Sequence, residues 1–541
     1  MTVDRHGDLY INGSWVPSTG RTWIDVIDPT SEEPIASVLS ASDADVDRAV
    51  AAARSAFETF SQTTVAERAE LLARILEIYE RRKDEFAQVL TREMGAPTTL
   101  AGTAQVGLGT AHLERTIEAL RRQESDEVRG TSLILRQPAG VAALITPWNW
   151  PINQVFTKVA SALGAGCTMV LKPSEVAPLD AILFAEVVDE AGVPDGVFNL
   201  VFGEGPTVGA QLARHRDVDV VSFTGSTRAG SQISKDAADT IKMVHLELGG
   251  KSPNVILDDA DLDFAVRTGI GVCYSNAGQS CSVATRMIVP RQLLDEVVAI
   301  AKEAAEGYVI GNPQDEATTL GPLVNAKQFA HVQSLIQAGI DEGATLVTGG
   351  VGKPEGHERG YFVKPTVFAD VESSMRIAQE EIFGPVLSIL AYDTEEEAVQ
   401  IANDTIYGLA AVVQSRDHAR AVRVARQIRA GHVYINHEFN AYAGVPFGGW
   451  KQSGNGYEHD EWGMSGFQLI KAVLGVPASR QVRGRAASLI SAHRSPVTSV
   501  AGLLCIPPIR ARSGVTRPHF DVQTLYSTNH WDPSRLDSET A

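Results

Sequence analysis

Cys281 stands in NAGQSCSVATR (276–286), a glycine- and serine-rich turn between a helical stretch and an apolar run. A loop of small residues leaves a thiol accessible, and its thiolate attacks electrophilic carbon. Inside an apolar run, where Cys167 and Cys273 stand, a cysteine is a small hydrophobe. Taken alone, the segment suits a nucleophile or a structural residue. A thiol that attacks a carbonyl needs a donor for the oxyanion, and hydrolysis of the resulting thioester needs a general base. Asn149 in PWNWP (147–151) and Glu247 in ELGGK (247–251) are the candidates, because each lies at the end of an expected strand.

Those strands belong to an alternating pattern. From residue 140 onward, short apolar runs (GVAALIT, TMVLK, VFNLV, DVVSF, KMVHLEL) alternate with helical stretches, the first of which opens at Pro151. Five strands separated by helices predict a parallel, doubly wound α/β sheet. After Gly250 the alternation resumes with PNVIL and TRMIV and continues to about residue 440, predicting a second α/β domain. Upstream, Ser42 to Phe60 has apolar positions at helical spacing, and a second helix opens with the capping box Thr64-Val-Ala-Glu67 and stops near Gly95.

In an open parallel sheet, ligands bind beyond the carboxyl ends of the strands. Two glycine-bearing turns there, at 203–206 and 225–227, would let backbone amides approach a pyrophosphate. Neither is GxGxxG. The string GGKS (249–252) mimics a Walker A ending, but His245 occupies the position where that motif needs glycine. No metal-ligand spacing is present, so no metal is expected.

The set PWNWP, KPSE, FTGS, ELGGK, GQSC, EEIFGP (380–385) and PFGGWKQSG (446–454) resembles the NAD(P)-dependent aldehyde dehydrogenase superfamily, in family order over residues 8–475. The resemblance implies that Cys281 attacks the aldehyde, that Asn149 and the Cys281 amide hold the oxyanion, and that Glu247 activates water. Lys158 and Glu458 fall where some members relay protons. It implies cofactor contacts from Ile145, Trp148, Lys172, Glu175, Gly205, Phe223, Gly225, Ser226, Gly230, Leu248, Glu381 and Phe383, and an aldehyde tunnel lined by Trp150, Asn153 and Phe447. A carboxylate at Glu175 suits a free ribose 2′-hydroxyl and repels a 2′-phosphate, which favours NAD over NADP. Tyr457 and Asp460 depart from the family pattern, standing where many members have a basic residue and a glycine.

By the same resemblance, 1–122 and 145–248 form a Rossmann-like cofactor domain, 249–440 a catalytic domain, and 123–144 with 441–475 a small β arm for a homodimer or homotetramer. The expected reaction oxidises an aldehyde to a carboxylic acid. A coenzyme A-acylating relative, which generally lacks the base, and a catalytically silent binding relative are the alternatives.

The 541 residues carry 47 Lys+Arg against 66 Asp+Glu, a formal charge of −19, with 44% hydrophobic residues. Such a chain builds large cores, and its negative field disfavours nucleic acid and anionic lipid as partners. No long apolar run or signal peptide is visible and the cysteines are few, so a reducing cytoplasm is the expected location. Residues 476–541, with eight Arg, no Lys, six Pro and nine Ser, predict a disordered extension.

Overall fold

The structure, a computed structural model, describes residues 7–123, 126–436 and 444–476. The expected C-terminal extension therefore lies outside the described residues, except for Val476.

Five parallel strands form the centre of an eight-stranded sheet: Val141–Ile145, Thr168–Lys172, Phe198–Leu200, Val220–Thr224 and Met243–Glu247. In space the third, second, first, fourth and fifth follow one another, so the chain reverses its direction of winding between Val141–Ile145 and Val220–Thr224. Four of the five are wholly buried because helices cover both faces. The N-terminal hairpin Asp8–Ile11 with Ser14–Pro17 extends one edge through Tyr10 beside Leu200. Gly454–Asn455 closes the other edge against Met243–Glu247.

A seven-stranded sheet holds Ser252–Ile256 and Ala284–Pro290 at its centre, with Val386–Tyr392, Thr366–Ala369 and Thr345–Thr348 on one side and Ala410–Gln414 and His432–Ile435 on the other. All its pairings are parallel except that of Thr345–Thr348 with Thr366–Ala369. A third sheet pairs Ser132–Pro138 with Asp126–Arg129 and with Gln468–Leu474. These are the two α/β layers and the β arm that the motif order implied. The boundaries differ in two places. An arm ending at 144 would include most of Val141–Ile145, which is central to the first sheet, and Gly454–Asn455 also joins that sheet and not the arm.

Local chemistry explains the helices that frame the site. Asp43–Phe60 starts at a full capping box: Ser42 Oγ accepts from the Asp45 amide, and the Asp45 carboxylate accepts from the Ser42 amide. Thr64 and Glu67 repeat the device for Val65–Met94, which Gly95 ends at φ 79°. Each cap is worth about 1 kcal/mol. Pro151–Ala165 begins with proline at its first turn, where a missing amide costs nothing, and ends at left-handed Gly166. Every residue of this helix is buried except Asn153. Among the described residues no helix is long and apolar enough to cross a membrane.

Candidate active site

Cys281 follows a turn in which Asn276 and Ala277 take left-handed φ of 54° and 55° and Gly278 takes 73°. Hydrogen bonds hold that backbone to the first sheet. Asn276 Nδ2 donates to Asn149 O at 2.8 Å, and Asn149 Nδ2 donates to Gln279 O at 3.0 Å. Trp150 Nε1 donates to Ser280 Oγ at 2.7 Å. The Asn149 amide is thus anchored two residues from the thiol with a second N–H to spare. Burial pushes the Cys281 thiol well above the ordinary cysteine range, and the charges of Glu381, Glu247 and Glu458 push it further. A thiol so placed must lose its proton before it attacks.

Glu247 ends the strand Met243–Glu247, and its backbone carbonyl accepts from the Gly225 amide at 3.0 Å. Both carboxylate oxygens are buried without a hydrogen-bond partner among the described residues. Burial first, then the Glu458 charge, raises its pKa well above the ordinary range, while Lys158 opposes the rise. A buried carboxylate is a stronger base than a solvated one. Lys158, 1% exposed, donates to Ser222 Oγ at 3.1 Å and forms an ion pair with Glu458. Glu458 faces Phe447 across a backbone bridge, with Phe447 N–H donating to Glu458 O at 3.1 Å. His459 and Asp460 follow with φ of 74° and 51°, left-handed backbone at non-glycine residues.

Two cavities meet here. One, of about 450 Å³, is lined by Leu108, Trp150, Asn153, Tyr434, Phe447 and His459 and reaches Cys281 and Glu458. The other, of about 480 Å³, runs past Trp148, Glu175, Gly225, Ser226, Leu248, Glu381 and Phe383 to Cys281. It lies at the carboxyl ends of Val141–Ile145 and Val220–Thr224, where the winding reverses. Among the described residues, Cys281 alone lines both cavities.

The second cavity fits a dinucleotide. Ser226 caps Thr227–Ala237 by accepting from Ala229 N–H at 3.3 Å, so a helix N-terminus opens on the cleft. A Cβ at Gly225 would meet the Phe223 ring at 2.5 Å, so the turn is bare backbone that a phosphate can approach. Gly230 makes the same room for Leu248, whose Cδ2 a Cβ there would meet at 2.6 Å. Phe383, at φ 58°, sets its ring edge-on to Trp148 at 5.4 Å. Burial pushes Glu381 up to about 7, against the Gly250 amide that donates to it at 2.8 Å and the Lys251 charge.

The expected residues divide by position. Trp148, Glu175, Gly225, Ser226, Leu248, Glu381 and Phe383 line the cleft, whereas Ile145, Lys172, Gly205, Phe223 and Gly230 do not reach its wall. Lys172 is buried behind it, its Nζ donating to Gly203 O at 2.8 Å and Pro173 O at 2.6 Å, with Glu175 at 3.4 Å. Burial lowers its pKa, against Glu175. Trp150, Asn153 and Phe447 all line the first cavity. Sequence reading missed Asn325, Lys327, Gln328 and His331 in the cleft. Asn325 caps Ala326–Asp341 and Gln328 Nε2 donates to Phe383 O at 2.9 Å. An Asn cap was readable at 325, but not that this helix end faces a strand end far away in sequence. It also missed Tyr434 and His459 in the first cavity, for which no signal existed.

The sequence model of the aldehyde dehydrogenase family matches residues 15–473. A Pseudomonas 3-succinoylsemialdehyde-pyridine dehydrogenase is 50% identical over 473 residues, covering 87% of this chain and 99% of the relative. The crystal structure of an alanine-for-cysteine variant of aldehyde dehydrogenase C from Pseudomonas syringae, in complex with NAD+ and octanal, is 51% identical with a TM-score of 0.86, covering 88% of this chain and 98% of that one. Betaine aldehyde dehydrogenase from Staphylococcus aureus, in complex with NAD+, is 36% identical with a TM-score of 0.84, covering 88% and 96%. A cysteine set where two cavities meet, on two wound sheets that match these relatives along nearly their whole length, places the chain in the aldehyde dehydrogenase family.

Proposed function

We propose that the protein oxidises an aldehyde to a carboxylic acid with NAD+. The observation that carries this reading is the position of Cys281, which opens on one side to a cavity of mixed aromatic and polar wall and on the other to a cleft shaped for a dinucleotide. The aldehyde enters the first. Cys281 Sγ gives up its proton to solvent and bonds to the aldehyde carbon, and the carbonyl oxygen becomes an oxyanion held by Asn149 Nδ2 and the Cys281 amide. Bound in the cleft, NAD+ supplies the two-electron oxidant that takes up hydride from that carbon. The C=O bond re-forms and leaves a thioester on Cys281. Glu247 then removes a proton from water, the hydroxyl adds to the thioester carbon, and expulsion of the thiolate releases the acid.

Glu175, one-third exposed in the cleft, favours NAD+ over NADP+ by repelling a 2′-phosphate. Glu247 favours hydrolysis over transfer of the acyl group to coenzyme A, since attack by a thiol needs no such base. The free-edged strand Gln468–Leu474 exposes Leu469, Ile470 and Leu474, which we assign to contact with a second copy of the chain. Light scattering checks that assignment, and a monomer at micromolar concentration would overturn it.

The test of the reaction is NADH formation with a panel of aldehydes. Cys281→Ala abolishes turnover, and Glu247→Gln retains a first-turnover burst followed by slow deacylation. Turnover that survives in Cys281→Ala refutes the reading. A coenzyme A requirement for release of the acyl group would move it to the acylating alternative.

A further inference from the structure

Pro151–Ala165 meets the first cavity at two residues, Asn153 and the buried Gln154. Of its fifteen residues only Asn153 escapes burial, and Asn153 opens into the cavity that ends at Cys281. Its side chain is oriented from behind. His112, on the helix Val106–Arg122, is buried and lies with Nε2 2.7 Å from Asn153 Oδ1. Burial lowers the His112 pKa to about 4, so at neutral pH the ring is uncharged and carries one N–H. An amide oxygen only accepts, so that N–H is at Nε2 and donates to Oδ1. The His459 ring lies against His112 at 4.7 Å and against Phe447 at 5.2 Å, which fixes the imidazole plane. With Oδ1 engaged, Nδ2 has no protein acceptor among the described residues, and it belongs to a residue that lines the cavity.

We propose that Asn153, positioned by His112, is the specificity-determining donor of the aldehyde cavity, selecting uncharged aldehydes that carry a hydrogen-bond acceptor, such as a keto oxygen or ring nitrogen, beyond a short spacer. The proposal rests on the reading of Cys281 as the nucleophile. Asn153 and Cys281 line the same cavity, so the acceptor that Asn153 meets lies a few bonds along the substrate from the reacting carbonyl. The remaining wall excludes the charged alternatives. Among the described lining residues there is no Lys or Arg to hold a carboxylate, and Glu458 repels one. Trp150, Tyr434 and Phe447 offer flat apolar faces to the portion that carries the acceptor. An aldehyde without an acceptor leaves Nδ2 desolvated and unpaired, and sites built to hydrogen-bond a substrate discriminate most strongly against analogues that lack the group.

The experiment compares 4-oxopentanal with 4-methylpent-4-enal, which has the same shape with =CH2 in place of the keto oxygen. Wild-type kcat/KM is expected to favour the keto compound by about tenfold, chiefly through KM. Asn153→Leu brings the ratio to about one. His112→Phe lowers the ratio in the same way, whereas His112→Gln, whose amide can also donate to Oδ1, restores it. A merely structural role for His112 would lower both substrates alike. Calorimetric titration of Cys281→Ala with each aldehyde, beside Cys281→Ala/Asn153→Leu, reads the same preference without turnover. Failure of the dehydrogenase reading is thereby separated from failure of this one. Equal binding of the two aldehydes by Cys281→Ala, or a ratio unchanged by Asn153→Leu, overturns the proposal.

Discussion

Glu458→Gln and Lys158→Met should move the pH dependence of deacylation in opposite directions. Glu247 is buried, and two fixed charges act on it: Glu458 raises its pKa and Lys158 lowers it. A single nearby charge moves a carboxylate by about one to two pKa units. Glu458→Gln removes a repelling anion and leaves the Lys158 cation uncompensated, so Glu247 ionises at lower pH. The base must be a carboxylate to accept a proton from water, so the acid limb of the rate shifts down by about one to two pH units. Lys158→Met removes the attraction, leaves Glu458 unpaired, and shifts the limb up by a similar amount. Each single variant breaks a buried ion pair and costs about 3–5 kcal/mol of stability. The double variant removes both charges, returns the limb toward wild type and recovers part of the stability. The assay is the slow phase after the NADH burst, followed from about pH 5.5 to 9.5 beside thermal unfolding of the same samples. If both single variants shift the limb in the same direction, or neither shifts it, the electrostatic account of the base is wrong.

Other outcomes follow from groups away from the thiol. Glu93 accepts the amides of Leu179 and Asp180 at 2.7 and 3.2 Å, while the fully buried Asp180 carboxylate has no hydrogen-bond partner among the described residues. Burial raises the Asp180 pKa to about 8, so the stability its neutral form contributes is complete below about pH 4 and is lost as pH rises toward 8. One proton gives a slope of at most about 1.4 kcal/mol per pH unit, so thermal unfolding of Asp180→Asn should be flatter than wild type between pH 6 and 8. Equal slopes would sink that assignment. Gly278→Ala should cost more than about 3 kcal/mol and at least tenfold in turnover, because φ is 73° and its Cβ would lie 2.1 Å from Gly384 O, a backbone atom that cannot swing aside. A wild-type melting temperature in Gly278→Ala would show that the turn before Cys281 yields more easily than its geometry implies.

Much of the site was legible because it is written in short local patterns. Cys281 in a small-residue turn, Glu247 at a strand end, Asn149 before Pro151 and the caps at Ser42 and Thr64 each depend on neighbours a few residues away, which a sequence displays directly. The winding of the first sheet was also readable, since apolar runs alternating with helices leave few topologies. Ile145, Lys172 and Gly205 show where such reading stops. They flank the right strand ends, yet their distance from the cleft wall depends on how neighbouring turns stack. Asn325 and His331 enter the cleft, and His112 reaches Asn153, only because helices remote in sequence pack against the same strand ends. The desolvation of Glu247, the opening of a buried helix at Asn153 and the meeting of two cavities at Cys281 are properties of packed surfaces. Sequence determined which groups could do chemistry; tertiary packing decided their desolvation, their partners and the space left between them, because each arises from contacts between residues far apart along the chain.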